Sequence, residues 1–121
     1  MSSSTDLVRD VIATLNAAEE NEGPLGLVEA LAEARDLLEE AHAEAMAEAV
    51  VAGSSVREVA RAAGLAPNSV NPRLARTGLL SGYAESGRVG ADQITLAKRD
   101  LSRGDLPEGE GTMRFVPRRR T

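Results

Sequence analysis

Apolar residues recur every three or four positions along most of the chain, the spacing of amphipathic helices. A first helix is predicted from a cap at Ser4 or Thr5 to about Glu20, because its apolar residues form one stripe. A second, alanine- and glutamate-rich helix is predicted from Pro24 to Ala52, with proline suited to its first position. Together these two segments predict an N-terminal helical hairpin.

The second helix carries a heptad seam, typical of helices that pack nearly parallel or antiparallel. The seam positions are Leu27, Leu31, Ala34, Leu38, Ala41 and Ala45. The first helix is only long enough to cover about half of this seam, so a second subunit is expected to cover the rest. The segment is therefore interpreted as a dimerisation arm. The alternative is a monomer in which the hairpin packs on the rest of its own chain.

The centre of the chain has the pattern of two short helices that cross through a tight turn. Ser54 or Ser55 is predicted to cap the first of these helices, and Ser55 with Glu58 also has the spacing of a capping box. Gly64 supplies a turn residue that tolerates positive φ, and Leu65 follows as a plug between the helices. The predicted core positions are Val56, Val59, Ala60, Ala63, Val70 and Leu74.

This stretch resembles the helix-turn-helix DNA-binding superfamily, which includes bacterial repressors, over about twenty residues centred on Gly64. The resemblance implies that the second helix lies in the major groove of double-stranded DNA and that its first turns contact base edges. Arg57 is expected at the phosphate backbone. The other DNA-binding residues that this interpretation assigns are Asn68, Ser69, Asn71, Arg73, Arg76 and, farther along the chain, Arg88.

Pro72 departs from the family pattern, because proline inside a helix removes a backbone hydrogen bond. If the helix begins late, near Asn68 or Ser69, either side chain is its cap. Those two residues then serve structure, and the reading surface shifts toward Asn71, Arg73 and Arg76.

The remaining chain predicts less structure. A short hairpin like the wing of winged-helix proteins is one interpretation of residues 79–89, with Arg88 near its tip, and a plain loop is the other. Asp92 is predicted to cap a helix that ends near Arg103. From residue 105 onward the chain is expected to be a flexible tail. Its basic end, 118–120, is interpreted as an arm that contacts DNA. The alternative is that residues 113–116 add as an edge strand or dock into a protein partner.

Charge is divided unevenly along the chain, which has a net charge of −5. Residues 1–53 hold 12 acidic and 2 basic side chains, whereas residues 54–103 hold 8 basic and 4 acidic ones. Because phosphates respond to local charge, the acidic half does not exclude DNA binding if it points away. The predicted domains are an acidic hairpin over 1–53, a helix-turn-helix domain over 54–104, and a basic tail over 105–121.

The chemistry of the side chains argues against catalysis. The chain has no cysteine and one histidine, so no nucleophile and base pair is in evidence. Glu39 and His42 have the spacing of one half of a di-metal bundle motif, but no second copy follows. We therefore expect no enzyme activity, no metal and no cofactor. No apolar run is long enough for a signal peptide or a membrane span, which predicts a cytoplasmic protein without membrane contact.

Two hypotheses about function follow from these patterns. The first is a sequence-specific DNA-binding protein, a dimeric transcriptional regulator that reads a palindromic site in double-stranded DNA through its helix-turn-helix. The alternative is a helical protein-interaction module, such as an antitoxin, a phage-encoded inhibitor or an adaptor, whose acidic helices bind a basic partner protein.

Overall fold

The chain is all-α over residues 3–21 and 23–103, the part that a computed structural model describes. The elements are α1 (Ser4–Asn21), α2 (Pro24–Ala52), α3 (Val56–Ala63), α4 (Pro67–Leu74), a 3₁₀ turn (Ser81–Tyr83) and α5 (Ala91–Arg103). The predicted class is confirmed, as is the order of a hairpin with one long helix, two short helices and a further helix. The predicted flexible tail lies outside the described residues.

The caps predicted for two helices are wrong by one or two residues. Ser3, rather than Ser4 or Thr5, caps α1, because its Oγ accepts the backbone N–H of Asp6 at 3.2 Å. At α5 the helix begins one residue before Asp92, which therefore lies inside the first turn. There the side chain of Gln93 reaches back and accepts the backbone N–H of Gly90 at 2.8 Å.

The described residues form two compact units that divide inside α2, between Ala45 and Met46. The predicted domain limit lies later, after residue 53, and stays a prediction. In the N-terminal unit, the buried apolar residues are Leu7, Val11, Ala18, Ala34 and Ala41. The predicted seam of α2 is thus only partly buried, because Leu27, Leu31 and Leu38 are exposed.

The C-terminal unit has a small aliphatic core. Its fully buried larger side chains are Val50, Val70, Leu74, Leu80 and Val89, with Thr77 among them. The Thr77 hydroxyl donates to the carbonyl oxygen of Leu74 at 2.8 Å and accepts the N–H of Leu80 at 3.1 Å. One bond reaches the last residue of α4 and the other a residue beyond the helix, so the buried threonine hydroxyl has a partner both as donor and as acceptor.

A tyrosine joins the 3₁₀ turn to α5. The Tyr83 hydroxyl donates to Oδ2 of Asp100 at 2.8 Å, and the two elements pack together. Partial burial, and then the neighbouring Asp100 carboxylate, raise the pKa of the Tyr83 hydroxyl above its usual range. The hydrogen bond between Tyr83 and Asp100 therefore attaches the segment between α4 and α5 to α5.

Candidate nucleic-acid interface

The first helix of the predicted pair starts at a complete capping box. The backbone N–H of Ser55 donates to Oε1 of Glu58 at 2.8 Å, and the N–H of Glu58 donates to Ser55 Oγ at 3.0 Å. The backbone bond from Ser55, followed by its side-chain bond, lowers the pKa of the Glu58 carboxyl. Of the two predicted caps, Ser54 and Ser55, it is Ser55 that caps α3, and its predicted capping box with Glu58 is confirmed.

The turn between α3 and α4 has the geometry predicted for Gly64. Its φ is +74°, in the left-handed region that glycine adopts at low cost. The N–H of Leu65 donates to the carbonyl oxygen of Ala60 at 2.9 Å, a bond typical of the Schellman motif. The two helices pack on each other. Their buried contacts come from Val59, Ala60, Val70 and Leu74.

The second helix begins earlier than expected. Its first residue is Pro67, and Ala66 precedes it in an extended conformation without a side-chain cap. The prediction that Asn68 or Ser69 caps this helix is therefore wrong, because proline already suits the first helical position. Pro72 lies inside α4, so the helix lacks one interior backbone donor.

The predicted base-reading residues on α4 differ in how accessible they are. Asn68 is exposed, whereas Ser69, Asn71 and Arg73 are half-buried. Arg73 folds back along its own helix, and its guanidinium donates to the carbonyl oxygen of Ser69 at 2.9 Å. In this conformation Arg73 has one donor engaged with its own backbone.

Asn71 connects α4 to the segment before α5. Its carbonyl oxygen accepts the N–H of the buried Val89 at 3.2 Å. Its side-chain Oδ1 is buried and has no hydrogen-bond partner among the described residues. Asn71 thus holds two segments together, and only part of its side chain faces solvent.

The predicted wing is reduced to one tight turn. Glu85 and Arg88 exchange two backbone hydrogen bonds, of 2.8 and 3.0 Å, around Ser86 and Gly87. Both central residues have positive φ, at 53° and 75°, as in the two-residue turns of β-hairpins. Because Val89 is bonded to Asn71, the exposed Arg88 lies one residue from a segment fastened to α4.

Between the start of α3 and the start of α5, four arginines are exposed and make no ion pair with the described residues, and we call them the cationic set. Its members are Arg57, Arg61, Arg76 and Arg88. Arg57 and Arg61 are one helical turn apart on α3, so they share its outer face. The sequence interpretation did not select Arg61, although its spacing of four from Arg57 was the signal.

Other chemistries find little support in the described residues. Residues 3–21 and 23–103 hold no group of three His, Cys, Asp or Glu side chains able to bind a metal. None of the helices in this range is both long and apolar enough to cross a membrane.

Comparison with known proteins yields no relative from which a function could be transferred. No protein-family model, curated protein or solved structure matches this chain.

Proposed function

We propose that this protein is a cytoplasmic, sequence-specific binder of double-stranded DNA, acting as a dimeric transcriptional regulator. The observation that supports the proposal most is the pair α3 and α4, which pack together through a left-handed glycine turn, with exposed arginines on α3 and just after α4. Two short helices joined this way place the second one in the major groove in helix-turn-helix proteins.

The residues divide into two roles in this proposal. Arg57 and Arg61 on α3, with Arg88 after the tight turn, contact phosphates. Asn68, in the first turn of α4, and Arg76, two residues after its end, are exposed and contact base edges. Since arginine recognises guanine through two parallel hydrogen bonds, Arg76 suits that role in sequence reading.

Arg73 and Asn71 are less available to DNA bases than the sequence interpretation predicts. Arg73 reaches a base only after releasing the Ser69 carbonyl oxygen, a single hydrogen bond whose net contribution is about 1 kcal/mol. Asn71 acts mainly by positioning, because its carbonyl oxygen holds Val89 and thereby the turn that carries Arg88. Ser69 supports the conformation of Arg73 through its backbone carbonyl oxygen.

A duplex selected from a random pool tests the proposal, since a palindromic consensus is expected for a symmetric dimer. On that duplex, Arg73→Ala or Arg76→Ala should weaken binding by about 1–3 kcal/mol and relax specificity at one base position. Arg57→Ala should weaken all sequences alike. Arg35→Ala is the matched control, because Arg35 is an exposed arginine on α2, outside the pair α3 and α4. If no sequence is enriched, or if the four variants bind equally well, the proposed interface is wrong.

A protein-interaction module is the second candidate, and two observations favour it. Pro72 interrupts α4, and Asn71 turns part of its carboxamide away from solvent, so the outer face of α4 is a limited reading surface. The N-terminal 53 residues also carry a net charge of −10, which suits a basic partner protein. A DNA-binding protein should be retained on a heparin column, and this retention should fall steeply as the salt concentration rises. An acidic interaction module should instead pass through the column.

A further inference from the structure

Leu25 and Val28 are the most exposed large apolar residues of the N-terminal unit and lie farther round α2. The other large, exposed apolar side chains of this unit form a row on each helix. On α1 they are Val8, Ile12 and Leu15, which neighbour the buried stripe of that helix. On α2 they are Leu27, Leu31 and Leu38. We call these six residues the apolar face. Each is between 41% and 55% exposed, so all six are only half covered by their own chain.

Both helices contribute to one groove within this face. The groove has a volume of about 520 Å³, and its apolar lining comes from Leu15, Ala18, Leu27 and Leu31. The face as a whole exposes apolar surface on the order of a few hundred Å², a size that marks interaction sites on soluble proteins. Something is therefore expected to cover it.

The arrangement of charge indicates which partner this is. A helix turns by about 100° per residue, which places Asp6 and Asp10 at least about 120° around α1 from Ile12. By the same geometry, Glu29 and Glu33 lie at least about 140° around α2 from Leu31. Glu19 is the carboxylate that lines the groove itself. A basic partner attracted by the acidic side chains would thus sit on a different side of the unit.

We infer that the apolar face is the contact between two copies of this chain, which pack it face to face around a two-fold axis. Val8, Ile12 and Leu15 are spaced by four and three, and Leu31 and Leu38 by seven, the spacing of helices that pack side by side. A two-fold axis pairs one patch with itself, so each copy supplies both side chains and groove. Most carboxylates then stay in solvent, and two acidic units can approach. This inference rests on the dimer in the proposed function but not on DNA binding.

The experiment measures the oligomeric state without DNA, by sedimentation equilibrium of the full chain over a concentration series. The wild type should reach twice the monomer mass. Ile12→Glu or Leu38→Glu should each weaken the dimer at least about 100-fold, because a symmetric contact loses the side chain twice. The matched control is Leu25→Glu, on the same helix and 73% exposed but outside the face. Circular dichroism and melting check that each variant is folded.

A crosslinking measurement makes the test independent of charge substitutions. The chain has no cysteine, so a single engineered one reports a single site. With a short bis-maleimide, Leu31→Cys should give a covalent dimer and Leu25→Cys should not. A monomeric wild type, a dimer that survives both glutamate substitutions, or a dimer that forms only when residues 104–121 are removed would each overturn the inference. Loss of DNA binding with an intact dimer would instead contradict the proposed function alone.

Discussion

Replacing Gly64 by alanine separates the conformational role of this residue from any packing role. A Cβ added at Gly64 meets no heavy atom within 4 Å, so the substitution causes no collision. What remains is the cost of holding an L-residue at φ +74°, about 1–2 kcal/mol. Since that cost falls on the turn between α3 and α4, it lowers the stability of the C-terminal unit.

The control is Gly82→Ala in the 3₁₀ turn. Its Cβ also meets nothing within 4 Å, but Gly82 has no left-handed φ. Alanine there should be neutral or stabilise by up to about 1 kcal/mol, through the lower entropy of the unfolded chain. Gly64→Ala should have a Tm roughly 5–15 °C below that of this control, measured by thermal unfolding followed with far-UV circular dichroism. Equal Tm values for the two variants would refute the assignment of Gly64 as an obligatory left-handed turn.

Three further predictions concern the polar contacts of the C-terminal unit. Thr77→Val should destabilise by about 1–3 kcal/mol in urea titrations, since two backbone partners lose their bonds, while Thr77→Ser should stay close to wild type. Glu58 has a lowered pKa in the folded chain, so its contribution to folding stability is present above the usual value of 4.5 and is lost as pH falls through the folded pKa. The difference in free energy of unfolding between wild type and Glu58→Gln should therefore shrink in acid, and a difference that stays constant contradicts the capping bond from Ser55. Tyr83 is the single tyrosine, and because its pKa is raised, its contribution to folding stability is present below the usual value of 10.0 and is lost at higher pH. Phenolate absorbance should therefore appear at higher pH in the folded chain than in urea, and Asp100→Asn should move its appearance to lower pH.

Local signals explain why the α3–α4 pair could be predicted from sequence. The capping box of Ser55 and Glu58, the glycine at 64 and the buried Val70 and Leu74 each depend on a few neighbouring residues. The early start of α4 could also have been predicted, because proline favours the first position of a helix and Pro67 is such a signal. The half-burial of Asn71 could not have been predicted, because it depends on the segment around Val89, which is far along the chain and donates a hydrogen bond to Asn71.

The apolar face shows a second limit of sequence reasoning. Alanine occupies several sides of α2, so periodicity alone could not say which stripe is buried. The structure buries Ala34 and Ala41 and leaves Leu31 and Leu38 exposed. The predicted need for a second subunit stays a prediction, with the apolar face as the surface that the second copy is now proposed to cover.

The dependence of duplex binding on salt tests the central claim, that the cationic set binds double-stranded DNA, with three of its four arginines at phosphates. Fluorescence anisotropy of a labelled duplex, titrated across a range of salt concentrations, gives the slope of log K against log salt. If Arg57, Arg61 and Arg88 contact phosphates, the slope should be about −3 per protomer. Arg57→Ala should reduce its magnitude by about 1, and Arg35→Ala should leave it unchanged. A slope near zero, or one that Arg57→Ala does not alter, would contradict the account.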